Sequence, residues 1–187
     1  MDEAGRGPLA GPLVAAAVCF PPDADPDGIN DSKVLSPEAR EKAYGLIVRN
    51  ALGFSVGIVE PEELDSAGMS EAVRLSFTRA ASSLGVHTDL FIIDGLPVRG
   101  FQFEADFVVR GDSRSLCVAA AGIVAKVTRD RLMIEADSAY PGYGFGKHKG
   151  YCTREHLQAL STLGPCPIHR RSFSPLRKNR QLRLPFE

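Results

Sequence analysis

The spacing of apolar residues changes several times along the chain, and each change marks an element. Residues 12–20, Pro-Leu-Val-Ala-Ala-Ala-Val-Cys-Phe, form an unbroken apolar run between turn signals, the pattern of a strand buried on both faces. Residues 53–59 and the short run Leu90-Phe91-Ile92-Ile93 read as further strands, and residues 101–109 alternate well enough to be another. Between them the period becomes helical. Ser36-Pro37-Glu38 combines an N-cap serine, proline at the first helical position and an acid in the first turn. From Met69 to Leu84, Val73, Phe77, Ala80 and Leu84 share one face, and Gly85 ends the helix. A long helix rich in small residues is expected from Ser113 to about Ala136, and a shorter one from a Thr153 cap to Gly164. Strands and helices interleave, so the fold class is α/β or α+β.

Composition adds limits. The chain has 187 residues, 44% hydrophobic and 24% charged, which suits one soluble domain with a small appendage. It has no apolar run long enough to span a bilayer and no basic N-terminal region of a signal peptide. Cys19, Cys117, Cys152 and Cys166 are scattered, which favours reduced thiols and a cytoplasmic protein. The net charge of −1 hides an asymmetry: residues 141–187 carry nine Lys/Arg against two acids, net +7, leaving −8 on residues 1–140. An acidic body with a basic end suits an enzyme that holds cations in one place and phosphates in another; a merely solvated charged tail gives the same pattern.

Four acids stand where chain direction changes. Asp2-Glu3 opens Asp-Glu-Ala-Gly-Arg-Gly, Asp94 ends an apolar strand before Gly95, and Asp112 follows Gly111 ahead of a helix. Acids at strand ends beside glycine can converge on one cleft, where two Mg²⁺ ions about 4 Å apart would clamp the attacking and leaving oxygens of a phosphodiester. Each also has a plain structural reading, with Asp112 as a helix cap and Asp94 as a turn residue.

The order of motifs resembles ribonuclease HII, the bacterial type 2 ribonuclease H. Asp2-Glu3-Ala4-Gly5-Arg6-Gly7 is similar to its first block, Asn30-Asp31-Ser32-Lys33 with Leu35 to its second, and Ile93-Asp94-Gly95 to its third. Arg110-Gly111-Asp112 with residues 119–130 resembles the fourth, and His148-Lys149-Gly150-Tyr151, His156 and His169-Arg170-Arg171-Ser172-Phe173 the last. The resemblance spans residues 2–176. It implies a ribonuclease H-like mixed five-stranded sheet flanked by helices, with a helical C-terminal extension. The expected division is a catalytic core (1–140), a substrate-binding extension (141–176) and a basic tail (177–187).

It further implies an endoribonuclease that cuts RNA of RNA–DNA hybrids and the phosphodiester 5′ of ribonucleotides embedded in duplex DNA, leaving 3′-hydroxyl and 5′-phosphate ends. Asp2, Glu3, Asp94 and Asp112 match the catalytic, metal-binding carboxylates for Mg²⁺ or Mn²⁺, two ions being expected. Gly5, Arg6 and Gly7 match the segment that contacts the ribose at the junction, and Tyr151 the aromatic that stacks on the next sugar. Lys33, Lys126, Lys149, Arg170 and Arg171 are candidate phosphate contacts. Asp130 does not align with the catalytic set and is expected to pair with Arg129 or Lys126.

Three features depart from this pattern or add to it. The family has a strand leading into Asp-Glu, whereas this chain opens at Met1-Asp2, so a truncated first strand, a frayed ligand and a longer natural protein are expected. Gly122 stands where the family has serine. Residues 181–186, Gln-Leu-Arg-Leu-Pro-Phe, resemble the peptide with which bacterial replication proteins bind the sliding clamp, through Gln181, Leu182, Leu184 and Phe186. A monomer with no membrane contact is expected. His148, Cys152, His156, Cys166 and His169 raise a structural-zinc alternative, although a helix start interrupts their spacing. The other readings are a noncatalytic nucleic-acid or clamp-binding remnant and another nuclease on the same fold.

Overall fold

The computed structural model describes residues 1–24, 28–29 and 35–177. The second motif block with Lys33, and the clamp-like tail with Gln181, Leu182, Leu184 and Phe186, lie outside the described residues.

Strands β1 (Asp2–Ala4), β2 (Leu13–Cys19) and β3 (Gly53–Val59) form an antiparallel ladder, with Asp2 opposite Ala16 and Leu13 opposite Val59. Strands β4 (Phe91–Asp94) and β5 (Ala105–Val108) pair in parallel. Met1 joins the two ladders. Its amine donates to the Ile92 carbonyl (2.6 Å), and the Asp94 N–H donates to the Met1 carbonyl (3.0 Å). The result is one mixed sheet in the order β3-β2-β1-β4-β5. Met1 is buried, so β1 is pinned rather than frayed as the sequence suggested.

The all-apolar run of β2 is explained by what covers it. Leu13, Ala15 and Ala17 pack with Phe77 and Ala80, while Val14, Ala16 and Val18 pack with Ile47, Ile123 and Val124. Helices α2 (Pro61–Ala67) and α3 (Met69–Ser82) thus lie on one face, and α1 (Pro37–Asn50) and α4 (Leu116–Ala139) on the other. Small strand residues let the helices sit close. At Gly57 a Cβ would meet the Ser76 carbonyl oxygen at 2.0 Å. Ser36 caps α1 as expected, its hydroxyl accepting the Ala39 N–H (3.2 Å).

The long helix starts later than expected. A 3₁₀ turn, Gly111–Ser113, precedes it, and Ser115 is the N-cap of α4, so Asp112 does not cap that helix. The residue 101–109 strand is shorter too, because Phe101 and Phe103 turn in to meet Phe91 edge-on, with centroids 6.2 and 5.5 Å away. Helix α2 was not read from the sequence despite Pro61 at its first position and Glu62 and Glu63 in its first turn.

The C-terminal extension carries α5 (Phe145–His148) and α6 (Arg154–Leu163), the latter capped by Thr153 and ended by Gly164. It packs on α4 through Met133, Tyr143, Phe145 and Cys166. None of the four cysteines is disulfide-bonded. No described helix is long and apolar enough to cross a membrane.

Candidate active site

The acids of β1 and β4 are placed by strand register. The two Met1 bonds put Met1 opposite Ile93. Asp2 therefore stands beside Asp94 on the same face of the sheet, since parallel neighbours share their side-chain direction. Asp94 Oδ1 accepts the Gly111 N–H at 2.7 Å, which holds the turn carrying Asp112 against the end of β4. Arg110 takes a left-handed conformation (φ 59°) to make that turn. The pleat sends Glu3 to the opposite face from Asp2. Glu3, Arg6, Val73, Phe77 and the strand end at Asp94 line a cavity of about 610 Å³. Asp2 is buried, and its Oδ1 accepts the Glu3 N–H (2.7 Å); Arg6 Nη1 donates to Glu3 Oε1 (3.2 Å).

These four carboxylates suit a hard divalent cation in donor type, being all oxygen and all anionic. Their arrangement is open. Among the described residues, no three His, Cys, Asp or Glu side chains are grouped so as to hold a metal ion.

Beside the acids lies the loop from Gly5 to Pro12, and two arginines lie beneath it. Arg129 of α4 is 1% exposed and donates to the carbonyls of Pro12, Ala10 and Lys149, each at 3.0 Å. Arg170 is fully buried and donates to the carbonyls of Gly11 (2.9 Å), Pro8 (3.0 Å) and Arg6 (3.3 Å), while its backbone N–H reaches Leu9 O (2.8 Å). Burial lowers the pKa of both guanidiniums. For Arg170 it falls to about 9, chiefly by desolvation and then by the nearby Arg129 charge.

This arrangement changes several sequence readings. Arg170 is no phosphate contact, because its guanidinium is enclosed and spent on loop carbonyls. Gly5 (φ 100°) is buried. A Cβ there would meet Arg129 Nε at 2.3 Å, so the glycine makes room for a residue inside the protein. Gly7 is the exposed one, and the Cβ position built on it lies 3.8 Å from Tyr151 Cε1. Tertiary structure thus brings Gly7 and the exposed Tyr151 together across the fold. Lys126 bonds Asp130 (2.7 Å) and stands 6.0 Å from the Tyr151 ring, so Asp130 pairs with Lys126 and not Arg129. Lys149 bonds the Gly146 carbonyl, and Arg171 is exposed with its N–H on Asp65 Oδ2 (2.6 Å). Gly122 is buried in α4.

Sequence reading gave Arg129 no role beyond a possible partner of Asp130 and passed over Asp65. Arg129 had a visible signal. It sits four residues from Ala125 and from Met133, both fully buried, so a charge occupied an apolar helix face. Asp65 accepts the Ser172 N–H and hydroxyl as well as Arg171 N–H, tying the extension to α2. Nothing in the local sequence signals that bond.

The histidines form a closed network. His148 Nε2 bonds the Tyr143 carbonyl (2.8 Å) and its Nδ1 accepts the Gly150 N–H (3.2 Å). His156 Nδ1 bonds the Tyr151 carbonyl (2.8 Å), its Nε2 meets His169 Nε2 (3.0 Å), and His169 Nδ1 accepts the Cys166 N–H (3.0 Å). Carbonyl and amide partners assign each tautomer. With every ring nitrogen engaged, these histidines offer no free lone pair to a zinc ion.

The family model for ribonuclease HII matches residues 1–176. The chain belongs to the ribonuclease HII family. A ribonuclease HII of Acetivibrio thermocellus is 46% identical over 174 residues, covering 93% of this chain and 68% of the relative. Among solved structures, the ribonuclease H2 of Pyrococcus horikoshii superposes with a TM-score of 0.78 at 29% identity, covering 95% of this chain and 93% of that one. The PCNA:RNase HII complex of Archaeoglobus fulgidus gives 0.74 at 27% identity, covering 96% and 94%. Membership makes the chain a ribonuclease H, an endoribonuclease acting on RNA–DNA hybrids, on the ribonuclease H-like fold expected from sequence.

Proposed function

We propose that this ribonuclease HII cuts 5′ of ribonucleotides embedded in duplex DNA, as well as RNA in hybrids, leaving 3′-hydroxyl and 5′-phosphate ends. One observation carries the reading. Asp2 stands beside Asp94, Asp94 is bonded to the turn of Asp112 and shares a cavity with Glu3, and all this adjoins the exposed Gly7–Tyr151 pair. Asp2, Glu3, Asp94 and Asp112 would hold one or two divalent ions, Mg²⁺ or Mn²⁺. When bound, such ions activate water and neutralise the scissile phosphate.

The chain's own residues do the selecting. A single 2′-hydroxyl is the only difference between a ribonucleotide and its DNA neighbours. The backbone at Gly7 is open to it, and Tyr151 faces the adjacent sugar. Exposed Arg171 and Arg6, the latter bonded to Glu3, are candidate phosphate contacts, as are Lys126 and Lys149, which are also internally bonded. Residues 141–176 serve as the substrate-binding extension. The tail residues Gln181, Leu182, Leu184 and Phe186 contact a sliding clamp; the archaeal relative solved with PCNA supports this. The protein acts in the cytoplasm as a monomer.

A gel assay on a duplex with one ribonucleotide, with and without Mg²⁺ or Mn²⁺, tests the reading. Metal-dependent cleavage 5′ of the ribonucleotide is expected. Cleavage indifferent to the 2′-hydroxyl would point to another nuclease activity, and no cleavage with either metal to a noncatalytic remnant.

A further inference from the structure

The geometry points to Arg129 and Arg170 as positioning residues for ribonucleotide recognition, which rests on the reading that the Arg6–Gly7 loop meets the ribose. Of the seven backbone carbonyls from Arg6 to Pro12, these two residues bond six, five through guanidinium N–H groups and Leu9 through the Arg170 amide. The one they leave belongs to Gly7, which is exposed. A third Arg129 bond, to the Lys149 carbonyl, fixes the segment that presents Tyr151. The loop and the aromatic, separated by more than 140 residues of sequence, are thereby held to one rigid base.

Satisfying carbonyls accounts for donors here, but not for two charged ones. Two like charges buried side by side are costly, and among the described residues neither forms an ion pair with a carboxylate. One Arg170 nitrogen, Nη2, has no hydrogen-bond partner. An apolar plug would avoid the buried charge but leave these carbonyls without their donors. What guanidiniums supply is direction: planar forks of donors that set several carbonyls at fixed angles. A loop with its carbonyls turned inward presents a defined edge at Gly7, and hydroxyl discrimination needs geometry held to a fraction of an ångström.

The test is steady-state kinetics of Arg170→Met and Arg170→Lys on two substrates, a DNA duplex with one ribonucleotide and a continuous RNA–DNA hybrid, with melting temperatures recorded. Arg170→Met is expected to lower kcat/KM on the single ribonucleotide by about 100-fold, mainly through kcat, and on the hybrid by about 10-fold or less. Arg170→Lys is expected to recover at least about tenfold of the single-ribonucleotide loss. Adding Gly7→Ala to Arg170→Met should cost less than Gly7→Ala does alone, because an unpositioned loop has less to lose. Equal losses on both substrates, or additive effects with Gly7→Ala, overturn the proposal. If Arg170→Met does not fold, Arg170→Lys decides alone: it must lose more on the single ribonucleotide than on the hybrid. A native chain that cuts neither substrate would instead refute the functional reading.

Discussion

The two charged regions that flank the Arg6–Gly7 loop are built in opposite ways. The acidic one lies at strand ends and is largely half-buried. It is placed by backbone register, with Met1 setting Asp2 beside Asp94 and Gly111 holding Asp94. Glu3 and Asp94 line a cavity. The basic one is sealed. Arg129 and Arg170 spend nearly every donor on carbonyls, and the histidines behind them leave no ring nitrogen free. The contrast separates chemistry from support. The candidate acids are set by register at strand ends, whereas the guanidiniums that shape the loop are hidden and bonded to its carbonyls.

Breaking the acidic side should have the largest effect. Asp94→Asn keeps an oxygen for the Gly111 N–H but loses the charge, so cleavage should fall on the order of 10³-fold or more with little change in melting temperature. A gel assay beside a thermal melt checks this, and a comparable drop in stability would mean Asp94 is structural. Breaking the support should do the reverse. Phe145 is fully buried, stacked on Tyr143 at 5.1 Å and packed against the histidines. Phe145→Ala should cost about 3–5 kcal/mol in urea unfolding.

Acid distinguishes the two regions further. Burial lowers the pKa of His156 and takes that of His169 down to about 4. Unfolded histidine, near 6.5, binds protons that the folded rings refuse, so the unfolded state holds more protons between those values. Stability should therefore fall as pH drops from about 6.5 toward 4, by roughly 3 kcal/mol from His169 alone, and this contribution should be complete above about pH 7.5. Urea titrations at stepped pH measure it; a slope of opposite sign would show that the rings are charged in the fold. The smallest effect is expected at Thr153→Ala, which removes the hydroxyl accepting the His156 N–H (3.2 Å). It should cost about 1 kcal/mol without altering substrate preference.

Much of this was legible in the linear chain wherever a local rule governs. The Ser36 and Thr153 caps, the uniform apolar run of β2 and the stop at Gly164 follow from propensity and period, and the structure agrees with each. Misreadings occurred where distant groups decide. Arg170 looked like a phosphate ligand because its sequence shows a charge and not its enclosure. The space at Gly5 was assigned to a substrate alone because a glycine's need for space does not say whose atoms fill it, here those of Arg129. Residues 101–109 were read as a longer strand because Phe91, which draws Phe101 and Phe103 inward, is remote from them in the chain.

Family and fold class were therefore settled by sequence alone, since ordered motifs and hydrophobic period are properties of the chain itself. Which acids stand together, which glycine faces outward and which arginines are buried were settled only by tertiary structure. Those depend on strand register and on carbonyls brought to two guanidiniums from more than a hundred residues away, and no local pattern encodes the meeting of groups so far apart.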